Sequence, residues 1–359
     1  MDEKREPITT PMVRKVGSLK PATWEEALAH IVEQIKPLAG KKEAGVAAVA
    51  STRLPAEALV NFKRLFVDHL KSDMVTTFEE GQSTTAAANL AEKMGKSFEG
   101  DLNALDSSDC VLVAGIDLVK EHEVAGFFIK RSQPHGTKLI LVDSSANTLD
   151  VAADAVIKPA AGGMAETLND LSQKVGSAEM IAAADLLAKA QHPVFVFGNG
   201  LGENELQALI NLATSVNGVL IGLKGGANSL AASQLHLDGT FKLNGHKAAF
   251  VALGDDFATQ KFEDELKNVP FLVVQSAYWS PLFDHASVVL PVENWAEIEG
   301  HYLNLEGRLQ ETHPSLKAPQ GVYSNALAME TLASALGFDV KGDWKAELAA
   351  RTPAVALVA

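Results

Sequence analysis

The chain is poor in the residues that build disulfide and metal chemistry. It has one cysteine, Cys110, in 359 residues. A single thiol excludes an internal disulfide, a four-cysteine zinc site and any iron–sulfur cluster held only by cysteines of this chain. Within the apolar run Cys110–Ala114 it reads as a buried, inert thiol. Long apolar stretches are also lacking. No run approaches the roughly 20 residues of a membrane-spanning helix, and the charged start Met1-Asp-Glu-Lys-Arg-Glu-Pro7 has no apolar signal core. We therefore expect a cytoplasmic protein, free or on the cytoplasmic side of a membrane-bound complex, with no direct membrane insertion. Cations are in deficit: 31 Lys and Arg face 45 Asp and Glu, for a net charge of −14, and no dense basic cluster offsets it. Such a surface repels phosphate backbones, so nucleic acid is not an expected partner. The common catalytic signatures are missing as well. The ten histidines show no metal-ligand spacing, and there is neither a G-x-S-x-G elbow nor a Walker loop.

What is present is alternation. At 47% hydrophobic and 21% charged, the chain is long enough for two cores. Short runs, apolar on both faces, predict strands at Gly45–Ala50, Cys110–Ala114, Lys138–Asp143, Ala155–Lys158, Pro193–Phe197, Val219–Ile221, Ala248–Leu253, Phe271–Gln275 and Ser287–Leu290. Helical patterns lie between them, at Trp24–Ile35, Ala56–His69, Ser83–Met94, Glu121–Ser132, Ala165–Lys174, Ile181–Ala190, Glu203–Ser215 and Thr259–Lys267. Thr23 with Glu26 predicts a capping box on the first of these. The pattern is that of an α/β fold, two doubly wound parallel-sheet lobes with helices on both faces. Read in order, it divides into an opening segment over 1–22, a first lobe over 23–176, a second over 177–340 and a tail over 341–359.

One unit occurs twice. Strand Cys110–Ala114 ends at Gly115-Ile-Asp117, Lys138–Val142 ends at Asp143, and Ala155–Lys158 stops at Pro159; strand Phe250–Leu253 ends at Gly254-Asp255-Asp256, Phe271–Val274 ends at Gln275-Ser276, and Val288–Leu290 stops at Pro291. A glycine directly after a strand allows a sharp turn into a crossover, and nucleotides bind at the carboxyl edge of such sheets. Gly115, Asp117, Asp143, Gly254 and Asp255 are therefore candidate cofactor-binding residues. Gly198 and Gly200, in Gly198-Asn-Gly-Leu-Gly202, suggest a phosphate loop at a helix start. Glu203 opposes an anion there, and the third glycine comes one residue early for the dinucleotide fingerprint, so a plain strand-to-helix turn stands beside it.

The most informative stretch is Ser287-Val-Val-Leu-Pro-Val-Glu-Asn-Trp-Ala-Glu-Ile-Glu-Gly-His-Tyr-Leu-Asn-Leu-Glu-Gly-Arg-Leu-Gln310. After Pro291 it carries four carboxylates, Glu293, Glu297, Glu299 and Glu306, with Gly300, Asn304, Gly307 and one arginine, Arg308. The glycines suit backbone turns, and Arg308 is the expected partner of the acids in a self-satisfied ion-pair loop.

A strand ending in V-L-P, then an acid, then E-x-x-G-x-x-x-N-x-E-G-R-x-Q resembles the signature of the molybdopterin oxidoreductase family. That family includes formate dehydrogenases, nitrate reductases and the large iron–sulfur subunit of NADH–quinone oxidoreductases. Pro11–Leu28 is similar to the segment that follows the family's iron–sulfur module. Asp109–Gly115, Gly136–Asp143 and Ala153-Asp154 match its strand–helix–strand unit, and Lys224-Gly-Gly-Ala-Asn-Ser229 its Gly/Asn-rich loop, in a form most similar to the complex I branch. The resemblance implies formate dehydrogenase-like lobes without the N-terminal iron–sulfur and C-terminal β domains. It also implies a non-catalytic, structural subunit of a multisubunit redox complex, with an iron–sulfur protein and other subunits as partners, bound through Pro7–Gly17 and the adjoining sheet edge. In formate dehydrogenase-like members a cysteine or selenocysteine bonds the metal from the loop after the first lobe's second strand. The corresponding Met74-Val-Thr-Thr-Phe-Glu-Glu80 has neither. The family's acid at Asp143 contacts a ribose or guanine, but the Pro-Arg that often follows is here Ser144-Ser145. We expect no catalytic residue, metal or cofactor in the isolated chain. Two other readings stay open: a component of a split molybdenum or tungsten enzyme such as a formate dehydrogenase, carrying molybdopterin guanine dinucleotide, and a free-standing nucleotide-binding module.

Overall fold

The structure is a computed structural model that describes residues 5–79, 90–93, 102–198, 200–223 and 225–349. The strands among them are β1 Met12–Lys15, β2 Ser18–Pro21, β3 Val46–Ala50, β4 Met74–Thr77, β5 Cys110–Ala114, β6 Lys138–Val142, β7 Ala155–Ile157, β8 Pro193–Phe197, β9 Val219–Gly222, β10 Ala248–Gly254, β11 Phe271–Ser276, β12 Val288–Pro291, β13 Gly300–Leu303 and β14 Leu309–Thr312. They form a seven-stranded sheet in the order β2-β1-β12-β11-β10-β3-β4, a five-stranded sheet in the order β7-β6-β5-β8-β9, and the hairpin β13-β14. Only β1 and β2 break the parallel pairing of the two larger sheets.

Double-sided burial explains why these strands are apolar at every position. In the larger sheet Val46, Ala48, Ala50, Phe250 and Val273 pack with Ile31, Phe62 and Met329 on one face, while Ala47, Val49, Val251 and Val274 meet Phe241, Phe262 and Phe283 on the other. The smaller sheet divides likewise, with Leu112, Ile140 and Phe195 on one face and Val111, Leu139 and Val194 on the other. Cys110 is 1% exposed. Burial, reinforced by Asp109 and Asp154, pushes its thiol up to about 12, so it is inert at neutral pH. The capping box forms: Thr23 Oγ1 accepts from Glu26 N at 3.1 Å, and Glu26 Oε2 accepts from Thr23 N at 3.0 Å.

Sheet pairing divides the chain differently from the sequential halves 23–176 and 177–340. The larger sheet takes β3 and β4 from early in the chain and β10 to β12 from late in it, and the whole smaller sheet is inserted between them. A boundary near Gly176 falls inside the smaller lobe, between the helices Met164–Gln173 and Ala178–Lys189 that both cover its sheet. Linear reading assigns neighbours along the chain to one core, which an insertion defeats. The repeated unit survives in altered form. The spatial order β12-β11-β10-β3-β4 matches β7-β6-β5-β8-β9, but the last two strands of that order come first along the chain in the larger lobe and last in the smaller one.

Pro7–Gly17 is built into the larger sheet: Pro7 bridges to Tyr278, and Met12 and Val13 pair with Val289 and Val288, so removing this stretch would also strip strands from the sheet. The pattern also missed the short strands β1, β2, β4, β13 and β14 and the helices Ser229–Gln234 and Asn325–Leu336. The last helix had legible ends: Ser324 caps Leu327 N, and Gly337 adopts φ +91° just past it. Of the helix expected over 83–94, only 90–93 falls within the described residues and is helical there; the tail beyond 349 lies outside them. No helix among the described residues is long and apolar enough to cross a membrane.

Candidate functional site

Each lobe has a point where crossovers leave adjacent strands in opposite directions, opening a crevice at their carboxyl ends. In the larger lobe it lies between β10 and β3. Gly254 takes φ +59° there, a conformation that strains any side chain, and the Leu54 side chain comes within 3.1 Å of where a Cβ would be. The next residue, Asp255, is 2% exposed and accepts two hydrogen bonds from Arg53, from Nε at 3.0 Å and Nη2 at 2.7 Å. This planar fork is the strong form of an ion pair. The hydrogen bond to Asp255 raises the Arg53 pKa, against the opposing effect of burial. Around the pair, Tyr302 donates to the Arg53 carbonyl at 3.0 Å, Arg5 donates to the Asp255 carbonyl, and Ser51 donates to the Asp256 carboxylate.

The crevice of the smaller lobe lies between β5 and β8, and the same contact recurs. Gly115 takes φ +63° with the Leu201 side chain against it, as Leu54 lies against Gly254. Ile116 fills the space a Cβ on Gly198 would need, and a Cβ on Gly200 would come within 2.6 Å of the Gly115 carbonyl. These glycines serve close backbone and side-chain packing. Asp117 accepts from Thr148 N at 3.1 Å, Thr148 Oγ1 at 2.8 Å and Lys120 Nζ at 2.9 Å, and also caps Val119. Burial works against its charge, but Lys120 and Thr148 outweigh it and hold the carboxyl at about 2. Asp143 accepts from Ser145 N at 2.9 Å and from Asn147 Nδ2 at 3.1 Å. Both acids therefore tie neighbouring loops together.

Between the lobes runs the Gly/Asn-rich loop. Asn228, fully buried, donates to the carbonyls of Leu54 and His301 at 2.8 and 3.1 Å and accepts from Leu303 N at 2.7 Å. It thereby clamps the β13-β14 hairpin to the loop after β3. Glu79 accepts from Thr52 Oγ1, Gly226 N and Ser229 Oγ. In the stretch Met74–Glu79 the Thr76 and Thr77 hydroxyls donate to the carbonyls of Gly239 and Leu237, so every hydroxyl and carboxylate on it is engaged.

The hairpin corrects the expected ion-pair loop. Asn304 Oδ1 accepts from Glu306 N at 3.0 Å and Arg308 N at 2.9 Å, Gly307 N donates to the Asn304 carbonyl, and Gly307 takes φ +79°. Gly300 brings the backbone against Pro55, within 2.6 Å of a Cβ position. Glu297 accepts from Asn294 N at 3.1 Å, whereas Glu299 is exposed. Arg308 is exposed and forms no ion pair among the described residues. The loop is shaped by an asparagine and two glycines, not by charge. Arg308→Ala is accordingly expected to change stability by less than about 0.5 kcal/mol in urea denaturation, the usual range for an exposed surface change; a loss above about 2 kcal/mol would restore the ion-pair reading.

A cavity of 310 Å³ opens beside the larger lobe's crevice, lined by Arg53, Asp255, Trp295, Ile298, Tyr302 and Thr312. Burial, then Asp255 and Glu57, raise the Tyr302 hydroxyl well above the ordinary tyrosine range. A second cavity, of 150 Å³, separates the lobes between His122 and Leu223 on one side and Leu303, Asn304 and Leu305 on the other. The sequence candidates thus fall into three places. Gly115, Asp117, Asp143, Gly198 and Gly200 converge on one sheet edge, Gly254 and Asp255 lie on the other, and Gly300 to Arg308 form the hairpin between them. Arg53, Glu79, Tyr302 and Trp295 were not anticipated as site residues. Arg53 had a signal, since it follows a buried strand at the position of a crevice loop.

Comparison with known proteins bears on this geometry. The profile of the molybdopterin oxidoreductase family matches residues 8–322. The mitochondrial NADH-ubiquinone oxidoreductase 78 kDa subunit of Candida albicans is 26% identical over 88% of this chain and 43% of its own length. The F420-dependent formate dehydrogenase 2 subunit alpha of Methanococcus maripaludis is 22% identical over 92% of this chain and 62% of its own length. The chain therefore spans only about half the length of these relatives. A chain in the formyltransferase/hydrolase complex of Methylorubrum extorquens superposes with a TM-score of 0.68 at 16% identity, covering 91% of this chain and 98% of that one, a likeness of fold. With two doubly wound lobes, the Asn-Gly hairpin between them and a profile match over most of its length, the chain belongs to the molybdopterin oxidoreductase family.

Proposed function

We propose that this chain is a non-catalytic, structural subunit of a multisubunit redox complex, resembling the molybdopterin-like part of the large iron–sulfur subunit of complex I. One observation supports the reading most: the chain's own side chains pack against the glycine turns at both sheet crevices, while a 310 Å³ cavity stays open beside the Arg53–Asp255 pair. In the larger lobe the Arg53–Asp255 pair, Leu54 and Tyr302 occupy the edge. In the smaller lobe Ile116 and Leu201 cover the glycines that would otherwise let a phosphate approach the backbone. This packing does not favour a pterin dinucleotide against the glycine turns. Nor does Met74–Glu79 offer a thiol or an unengaged oxygen to a metal. The same packing disfavours a free-standing nucleotide-binding module. Its partners in this reading are an iron–sulfur protein and further subunits, and its place is the cytoplasm or the cytoplasmic side of a membrane-bound complex.

Elemental and pterin analysis of the natively purified protein tests the proposal. The chain is expected to carry neither iron nor stoichiometric molybdenum or tungsten. One equivalent of either heavy metal with releasable pterin would replace the structural reading by a split molybdenum or tungsten enzyme.

A further inference from the structure

The carboxyl edge of the larger sheet is unusual in what it offers to solvent. Phe257, Trp279 and Trp295 are 44%, 48% and 68% exposed. They follow the carboxyl ends of three adjacent strands, β10, β11 and β12, respectively. The polar groups of that edge are already satisfied within the chain. Asp255 holds Arg53, Asp256 holds Ser51 and the Phe257 N–H, Ser276 donates to the Tyr278 carbonyl, and Ser280 caps Leu282. Few polar atoms remain there to orient a small polar ligand, while large aromatic surface is left in water.

The charges around this surface are unbalanced. Arg5 lies 3.6 Å from the centre of the Phe257 ring, and Arg53 is engaged by Asp255, so the edge's two arginines are already partnered. In the segment that carries Trp295, Glu293, Glu297 and Glu299 form one electrostatic cluster; no lysine or arginine among the described residues pairs with them, and His313 lies within 4.8 Å of Glu299. Burial and the two neighbouring carboxylates push Glu293 up to about 7, the behaviour of a group that lacks a countercharge. Trp295, which lines the 310 Å³ cavity, and the acids that flank it in the chain are complementary to cationic side chains carried on apolar surface.

We propose that this edge is a protein-docking surface for a partner subunit presenting lysine or arginine flanked by apolar residues, with Trp295 as the anchor in the cavity wall. The inference rests on the subunit reading above and names one face of its interface. A cation on the partner stacks on the Trp295 ring and neutralises the Glu293, Glu297 and Glu299 cluster. Apolar neighbours cover Phe257 and Trp279. The net charge of −14 steers a basic partner toward this chain.

Photo-crosslinking in the natively assembled complex tests this. Trp295→p-benzoylphenylalanine is expected to give an adduct with another chain at a segment containing Lys or Arg. Val151, 97% exposed on the smaller lobe, carries the same probe as the control position. In parallel, Trp295→Ala and the combined Glu293→Gln, Glu297→Gln and Glu299→Gln variant, each checked for an unchanged fold by circular dichroism, should weaken partner retention about tenfold or more. An intact assembly with no adduct at 295, an adduct to an acidic segment, or an adduct to a second copy of this chain would overturn the proposal while leaving the subunit reading in place. Failure to recover any assembly would remove both. A saturable thermal shift with zinc or manganese chloride, abolished by Glu299→Gln, would assign the acids to a metal ion and overturn the charge argument.

Discussion

Arg53→Ala is expected to destabilise the fold by about 2–3 kcal/mol. Its partner Asp255 is 2% exposed, and the two are joined by both oxygens of the carboxylate. Truncating the arginine leaves a buried charge without its counterion, which costs roughly 3–5 kcal/mol when both members are fully buried. The Arg53 side chain is 46% exposed, so water screens part of the interaction and the expectation falls toward the lower end. The sign of the double variant is more diagnostic than the size of the single one. Removing both charges abolishes the buried anion, so Arg53→Met with Asp255→Leu should be less destabilised than Arg53→Ala alone. Urea denaturation of the variants measures this. A loss below about 0.5 kcal/mol for Arg53→Ala would mean that the pair does not hold β3 to β10.

The second large effect is on pH dependence, where two carboxylates act in opposite directions. Glu293 is raised from the ordinary value of about 4.3 to about 7, chiefly by burial and then by Glu297 and Glu299. A carboxyl whose folded pKa is raised favours the folded state below its unfolded pKa, and that advantage is lost as pH rises through the folded pKa. Stability should therefore decline between about pH 4.5 and 7, by roughly 1–2 kcal/mol after allowing for the partial exposure of the group. Asp117 behaves the other way. Its carboxyl, opposed by burial but held at about 2 by Lys120 and Thr148, contributes stability that is complete above about pH 4 and disappears as pH falls through about 2. The windows do not overlap, so melting temperature against pH separates them. Glu293→Gln should flatten the upper window and leave the acid limb unchanged. A wild-type profile already flat between pH 4.5 and 7 would show that Glu293 is solvated.

What could be read from residues alone depended on whether the cause was local. The capping box of Thr23 and Glu26, the helix Glu203–Ser215 and the buried strands β5 and β8 follow from short-range periodicity, and they form at the expected residues. Gly115 and Gly254 were legible because each stands at the end of an apolar run, and both do take positive φ. The partners that pack at the crevices were not. Arg53 and Asp255 stand far apart in sequence, and nothing in the local composition around either marks the other. Leu54 and Leu201 read as ordinary apolar residues until the sheets bring them against the glycines. Arg308 failed for a different reason. Spacing places an arginine among acids, but the hairpin turn takes its hydrogen bonds from Asn304 and leaves the guanidinium in solvent. β4 was overlooked because its Thr76 and Thr77 are polar, yet both are buried by donating to carbonyls across the loop.

The insertion of one lobe into the other has a consequence for the order in which the protein is made. Ala48 pairs with Phe250, so the centre of the larger sheet cannot assemble until the intervening lobe has left the ribosome. The smaller sheet draws all its strands from one continuous stretch, Cys110–Gly222, and has its own two-faced core. It can close first, while β3 and β4 wait with an unpaired edge and with the Ala47 and Val49 face, which later meets Phe241, Phe262 and Phe283, uncovered. The late-arriving β10, which pairs with both β3 and β11, is then the strand whose synthesis ends that exposure.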